Sequence, residues 1–364
     1  MKARTLPDLM IIVCTLALLA IGIVMVYSAS AVNALHDFGD AYYYLKRQLI
    51  FAVLGIVSMF VVMNMDYWIW KKYAKIGLIA AFALLVIVLI PGIGVVRGGA
   101  RSWLGLGSFG VQPSEFMKLA LIIFLAKWLS DNQAKISSFT RGLLPPLLLL
   151  GAAFGLIMMQ PDLGTGAVLA GASMIVIYAA GARMAHLSAL ALAGLAGFAA
   201  LIAAAPYRLQ RITAFLDPWQ DPLGAGYQAI QSLYAIGPGG LVGLGLGMSR
   251  QKYSYLPEPQ TDFIFSIIAE ELGFIGGAAV LVLFAVLMWK GMRIAITAPD
   301  AFGSLLAAGI TGILAVQVVI NIGVVIGMMP VTGITLPLIS AGGSSLTLIL
   351  TAVGILLNIS RFAR

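Results

Sequence analysis

Ionisable side chains are scarce in this 364-residue chain, and those best placed for chemistry interrupt apolar stretches. Glu115 and Lys118 stand three apart in Gln112-Pro113-Ser114-Glu115-Phe116-Met117-Lys118, Asp162 follows Gln160-Pro161, and Asp262 precedes Phe263-Ile264-Phe265. Glu270 and Glu271 lie further along that last apolar run. At the centre of a membrane-spanning helix each would cost about 2.5–3.5 kcal/mol on insertion scales, so each needs a partner or a function. The Glu115 and Lys118 spacing gives one helical face, which suits a structural ion pair and a site role alike. Asp162 reads as the N-cap of a helix starting in Leu163-Gly164-Thr165. Asp262 reads either as a helix cap or as a carboxylate able to accept a proton. Glu270 and Glu271 project about 100° apart on a helix, so one is expected on a polar partner and the other elsewhere, both in structural roles. Arg101, Arg208, Arg211, Arg250 and Lys252 would each serve as an interface anchor, but gathered on one side of a membrane they suit a phosphate-bearing lipid.

Composition excludes several other chemistries. The lone Cys14 sits in the first apolar run, which rules out an intramolecular disulfide, and with His36 and His186 as the only histidines a zinc site is not expected. The glycine-rich stretches after Gly92 and after Gly237 are not read within the strand-helix unit that dinucleotide binding requires, and both read as tight turns and close packing. A net charge of +8 points to anionic lipid and not to nucleic acid.

The elements that must position these residues are membrane helices. The chain is 61% hydrophobic and 10% charged, where a soluble domain carries about 25% charged residues. Ten apolar segments fit, at roughly 9–28, 48–65, 73–91, 113–130, 142–160, 163–181, 185–206, 262–289, 301–327 and 333–360. The first imitates a signal peptide but is longer than a secretory apolar core, so an uncleaved anchor is expected. Lys and Arg fall more often on the side shared by both termini, which predicts cytoplasmic ends. The outer side still keeps Lys46, Arg47, Arg97, Arg101, Arg208, Arg211, Arg250 and Lys252. The expectation is an all-α integral membrane protein of about ten transmembrane helices, one domain over 1–364, with a large extracytoplasmic loop at about 207–261 between helices 7 and 8. That loop, which ends at Glu258-Pro259-Gln260-Thr261-Asp262, is where function is expected.

These motifs resemble a known family. Tyr255-Leu256-Pro257-Glu258-Pro259-Gln260-Thr261-Asp262-Phe263-Ile264-Phe265, followed by Ala269-Glu270-Glu271-Leu272-Gly273, is similar to the pattern of the SEDS glycosyltransferases FtsW, RodA and SpoVE. Arg101-Ser102-Trp103, Gln112-Pro113-Ser114-Glu115, Gln160-Pro161-Asp162-Leu163-Gly164-Thr165 and the run from Pro337 through Gly342-Gly343-Ser344-Ser345 extend the likeness over nearly the whole chain. The short ends and the Val26-Tyr27-Ser28-Ala29-Ser30-Ala31-Val32 opening look most like the sporulation branch, SpoVE.

The resemblance implies a ten-helix fold and inverting polymerisation of lipid II into glycan at the outer face of the bacterial cytoplasmic membrane, for spore cortex or septal wall. It puts Asp262 at the catalytic aspartate position. Arg101, Arg208, Arg211 and Lys118 become candidates for the diphosphate, and Glu115, Gln112, Asp162, Gln231 and Ser344 further candidates for substrate binding. Charge on the diphosphate calls for Arg, Lys or a divalent cation, so Mg2+ or Mn2+ could assist, with Asp262 and Glu258 as ligands. The implied partners are lipid II, undecaprenyl diphosphate-linked glycan, and a transpeptidase of the class B penicillin-binding type. Two rival readings use the same residues: a lipid II flippase, and a scaffold of a wall-synthesis complex.

Overall fold

The computed structural model describes residues 6–97, 100–105, 110–203 and 206–363, with Arg97, Phe198, Leu201, Ile202, Pro206, Tyr207, Arg208 and Arg211 described by backbone alone. Among the described residues are twelve α-helices. The first three are α1 (Leu9–Phe38), α2 (Tyr43–Asn64) and α3 (Trp68–Leu89). After a β-hairpin come α4 (Pro113–Asp131), α5 (Leu144–Met158), α6 (Leu163–Ala179) and α7 (Met184–Ala203). Two shorter helices follow, α8 (Pro206–Leu216) and α9 (Tyr227–Gly239), and then the long α10 (Ile264–Thr297), α11 (Ala301–Val325) and α12 (Gly343–Ser360).

Seven of these, α1, α2, α3, α10, α11, α12 and α5 with the turn before it, are long and apolar enough to cross a membrane. Helix α4 carries Glu115, Lys118, Lys127 and Asp131, while α6 and the apolar part of α7 are shorter. Helices α11 and α12 form the centre: 72% and 78% of their most apolar windows are buried, against 28% for α2 and α3, whose outer faces suit lipid. At one end of the bundle polar contacts stitch the helices together. Lys290 pairs with Asp8 at 3.1 Å, Lys71 with Asp131 at 2.7 Å, and the Tyr67 hydroxyl donates to Asp300.

Four expectations need correction. The fold is not purely helical: β1 (Gly94–Arg97) and β2 (Ala100–Leu104) form an antiparallel hairpin. Val95, Val96 and Trp103 favour strands, and the apolar reading of this region missed them because the strands are so short. The segment drawn at 333–360 is helical only from Gly343, because Pro330, Gly333 and Pro337 break regular structure before it. The stretch 207–261 is no open loop, since α8 and α9 occupy much of it.

The fourth correction concerns Glu270 and Glu271, which both meet the same segment. Helix α10 is broken at Gly273 (φ 66°, ψ −165°), and residues 239–252 dock against the break. Leu244 N and Gly245 N donate to the carbonyls of Glu270 and Glu271, while Phe274 N and Ile275 N donate to those of Gly240 and Leu241. A Cβ on Gly273 would come within 2.3 Å of Gly243 N, so only glycine allows this approach. Both acidic side chains are buried. Glu270 accepts from Ser249 Oγ at 2.5 Å and Arg250 N at 2.9 Å. Glu271 accepts from Ser28 Oγ at 2.7 Å, Gly247 N at 3.0 Å, Ser249 N at 3.2 Å and Lys252 Nζ at 3.3 Å. The segment wraps around the helix, so side chains 100° apart still find donors on it.

Candidate active site

Asp262 ends the turn-rich segment before α10. The N-cap position of that helix falls on Phe263, so Asp262 is not its cap. Its backbone is held from two elements. Asn321 on α11 donates from Nδ2 to the Asp262 carbonyl at 2.8 Å, and the same nitrogen donates to Ile334 O at 2.7 Å. Ser340 Oγ donates to Thr261 O at 2.6 Å, and Ala341 N donates to Gln260 O at 2.8 Å. The half-buried carboxylate lies beside Gly333, where a Cβ would come 3.6 Å from Asp262 Oδ2. Gly333 also has φ +74°, a conformation that a larger residue adopts only with strain.

The irregular segment 330–342 between α11 and α12 is the hub of the site. Past Gly333 and Ile334, Thr335 O accepts from Gln317 Nε2 at 3.1 Å. Gln317 Oε1 in turn accepts from Lys118 Nζ at 3.3 Å. Lys118 pairs with Glu115 at 2.8 Å, and both are buried, so the predicted i,i+3 ion pair forms. On another side of the hub, Thr332 O packs against Gly164 at the start of α6, 2.7 Å from where a Cβ would be.

That start is capped as expected, with Asp162 Oδ1 accepting from Thr165 N at 3.0 Å. Asp162 Oδ2 accepts from Gln112 Nε2 at 3.1 Å, and Gln112 N donates to Ser344 Oγ at 3.3 Å. The beginnings of α4, α6 and α12 therefore meet through three side chains. Burial pushes the Asp162 carboxyl up, the Thr165 bonds hold it down, and the charges of Glu115 and Lys118 act on it in opposite senses. Several buried polar atoms here have no protein partner: Ser114 Oγ, both amide atoms of Gln160, Asn321 Oδ1 and Thr332 Oγ1.

Six predicted residues thus converge: Asp262, Lys118, Glu115, Gln112, Asp162 and Ser344. Arg101 lies half-buried on β2 and Gln231 half-buried on α9; among the described residues no hydrogen bond joins either to this network. The side chains of Arg208 and Arg211 lie outside the described residues. Glu258 accepts from Gln260 Nε2 at 3.1 Å and Thr261 Oγ1 at 3.3 Å. Among the described residues no group of three or more His, Cys, Asp or Glu stands together. Sequence reasoning missed Gln317 and Asn321, although two amides four apart in an otherwise apolar helix mark one polar face.

A family model described as a cell cycle protein of the FtsW, RodA and SpoVE type matches residues 8–364. The chain belongs to the FtsW/RodA/SpoVE family. It is 60% identical over 361 residues to stage V sporulation protein E of Bacillus subtilis, covering 99% of each chain. It is 47% identical to the probable peptidoglycan glycosyltransferase FtsW of Trichlorobacter lovleyi, over 97% of this chain and 93% of that one. Its fold matches the crystal structure of the rod shape determining protein RodA of Thermus thermophilus, with TM-score 0.72, 30% identity and coverage of 98% and 97%. It also matches a chain from a peptidoglycan synthase complex solved to show the structural coordination of polymerization and crosslinking, with TM-score 0.79, 33% identity and 98% of both chains. This FtsW/RodA/SpoVE chain therefore shares its overall fold with both solved structures along almost its full length.

Proposed function

We propose that the chain is a peptidoglycan glycosyltransferase that polymerises lipid II into β-1,4-linked glycan at the outer face of the cytoplasmic membrane. It acts as one multi-pass domain over 1–364, with ten spans and both termini inside. The observation that carries this reading is the Asp262 carboxylate, held at the hub with its own carbonyl bound by Asn321, that of the preceding Thr261 bound by Ser340, and Lys118 tied through Gln317 to Thr335 of the same segment. Such pinning keeps a reacting group in place, and small displacements of a catalytic group cost large factors in rate.

In this mechanism Asp262 takes the proton from the GlcNAc 4-hydroxyl of lipid II as that oxygen attacks the MurNAc anomeric carbon at the lipid-linked end of the growing strand. The bond from that carbon to the diphosphate oxygen breaks with inversion, and undecaprenyl diphosphate leaves with the electron pair. The leaving group is already an anion, so no general acid is required, unlike the two-carboxylate arrangement of glycoside hydrolysis. Charge growing on the diphosphate is met by Lys118, whose ammonium has a third donor beyond Glu115 and Gln317, and by Arg101, Arg208 and Arg211.

The sporulation name of the Bacillus relative supports a role in spore cortex or septal wall, and the likeness to a chain of a peptidoglycan synthase complex supports a class B penicillin-binding transpeptidase as partner. The test is polymerisation of purified lipid II by the chain with that partner, read on a glycan gel, for wild type and Asp262→Asn. Long glycan from wild type alone is expected; equal glycan from both folded proteins would remove Asp262 as the base.

A further inference from the structure

A second recess lies upstream of Asp262 on the same segment. Arg250, Gln251, Tyr253 and Tyr255 line a shallow, open recess of about 510 Å3. Both tyrosines are 57% exposed. Large apolar rings left open on a loop normally cost solvation, yet the backbone that carries these is hydrogen-bonded in place. Ser254 between them has φ +64° and donates from Oγ to Asn33 Oδ1 at 3.0 Å. Tyr253 N donates to Arg250 O at 3.2 Å, Leu256 N donates to Gln251 O at 3.0 Å, and the Leu256 side chain is fully buried.

Beneath the pocket, Glu270 and Glu271 fasten 247–252 through the bonds described above. Two buried carboxylates are a costly way to fix a loop unless its position matters.

We propose that this pocket is a saccharide subsite that holds the polymerised glycan strand beyond its reacting end; this rests on the glycosyltransferase reading above. The faces of Tyr253 and Tyr255 stack on the C–H faces of pyranose rings, which excludes water from both surfaces. The exposed Arg250 guanidinium meets the carboxylates that hang from the strand. Tyrosines of a membrane-interface belt would also be exposed. These stand instead on a polar loop beside Arg and Gln, on a segment that runs through Pro257 to Gln260 directly into Asp262.

The experiment is a calorimetric titration of the full chain in detergent with β-1,4-linked N-acetylglucosamine tetramer. Saturable binding is expected, weakened at least tenfold in Tyr253→Ala/Tyr255→Ala, largely kept in Tyr255→Phe, and unchanged in Tyr73→Ala, an exposed tyrosine of α3 outside the pocket. Absence of saturable binding, or equal binding by the double variant, would overturn the proposal. So would lipid-vesicle association that falls in the double variant while the tetramer fails to bind, since that assigns the tyrosines to the membrane surface. The tetramer carries no diphosphate and does not react, so its binding is read independently of whether Asp262→Asn polymerises lipid II.

Discussion

Two regions bury polar groups in this apolar bundle, and they do so in opposite ways. Where residues 247–252 meet the broken α10, every carboxylate oxygen of Glu270 and Glu271 is bonded. Around the 330–342 hub, Ser114, Gln160, Asn321 and Thr332 keep buried atoms without protein partners. A fully satisfied network rigidifies, while an incompletely satisfied one is sustained only where something else makes use of it. The carboxylates that fasten 247–252 to α10 have complete bonds, with Gln251 Oε1 the one buried polar side-chain atom of that segment left unbonded among the described residues, whereas the several open bonds of the hub fit the polar substrate proposed above.

The comparison breaks most visibly through the fastening. Glu271→Ala strands the buried Lys252, and stability should fall by about 3–5 kcal/mol, seen as a large drop in melting temperature in detergent. The corresponding ion pair of the hub sharpens the contrast. Lys118→Met should destabilise by a similar amount by leaving Glu115 unpaired, and Lys118→Met/Glu115→Gln should recover most of that stability while polymerisation stays low. Recovery of both would make the pair merely structural. Asn321→Leu removes the amide that ties Asp262 to Ile334; it should cost about 1–3 kcal/mol and lower the polymerisation rate roughly 100-fold. Gln231→Ala, away from the network, should change stability by less than about 0.5 kcal/mol and leave glycan length as in wild type on the same gel.

Features set by local spacing were legible in the sequence. The apolar runs located nearly all the long helices, three-residue spacing gave the Glu115 and Lys118 pair, and Asp162-Leu163-Gly164-Thr165 gave the α6 cap. Features set by contact between distant segments were not. Nothing near Gly273 in the chain announces that residues 239–252 will fill its break, and Gln317 and Asn321 acquire their meaning only once 332–335 folds back beside them. Gln231 shows the converse: a polar residue in the expected loop that lies on α9, with no hydrogen bond to the hub network among the described residues.

The most direct measurement sets Asp262→Asn beside Glu271→Gln, with glycan formed per folded molecule and melting temperature recorded for both. Asp262→Asn should lose at least about 100-fold in rate while melting near wild type, and Glu271→Gln should melt lower yet still polymerise. An Asp262→Asn protein that polymerises normally, or equal rate losses in both at unchanged melting temperature, would contradict the division between catalytic hub and structural fastening.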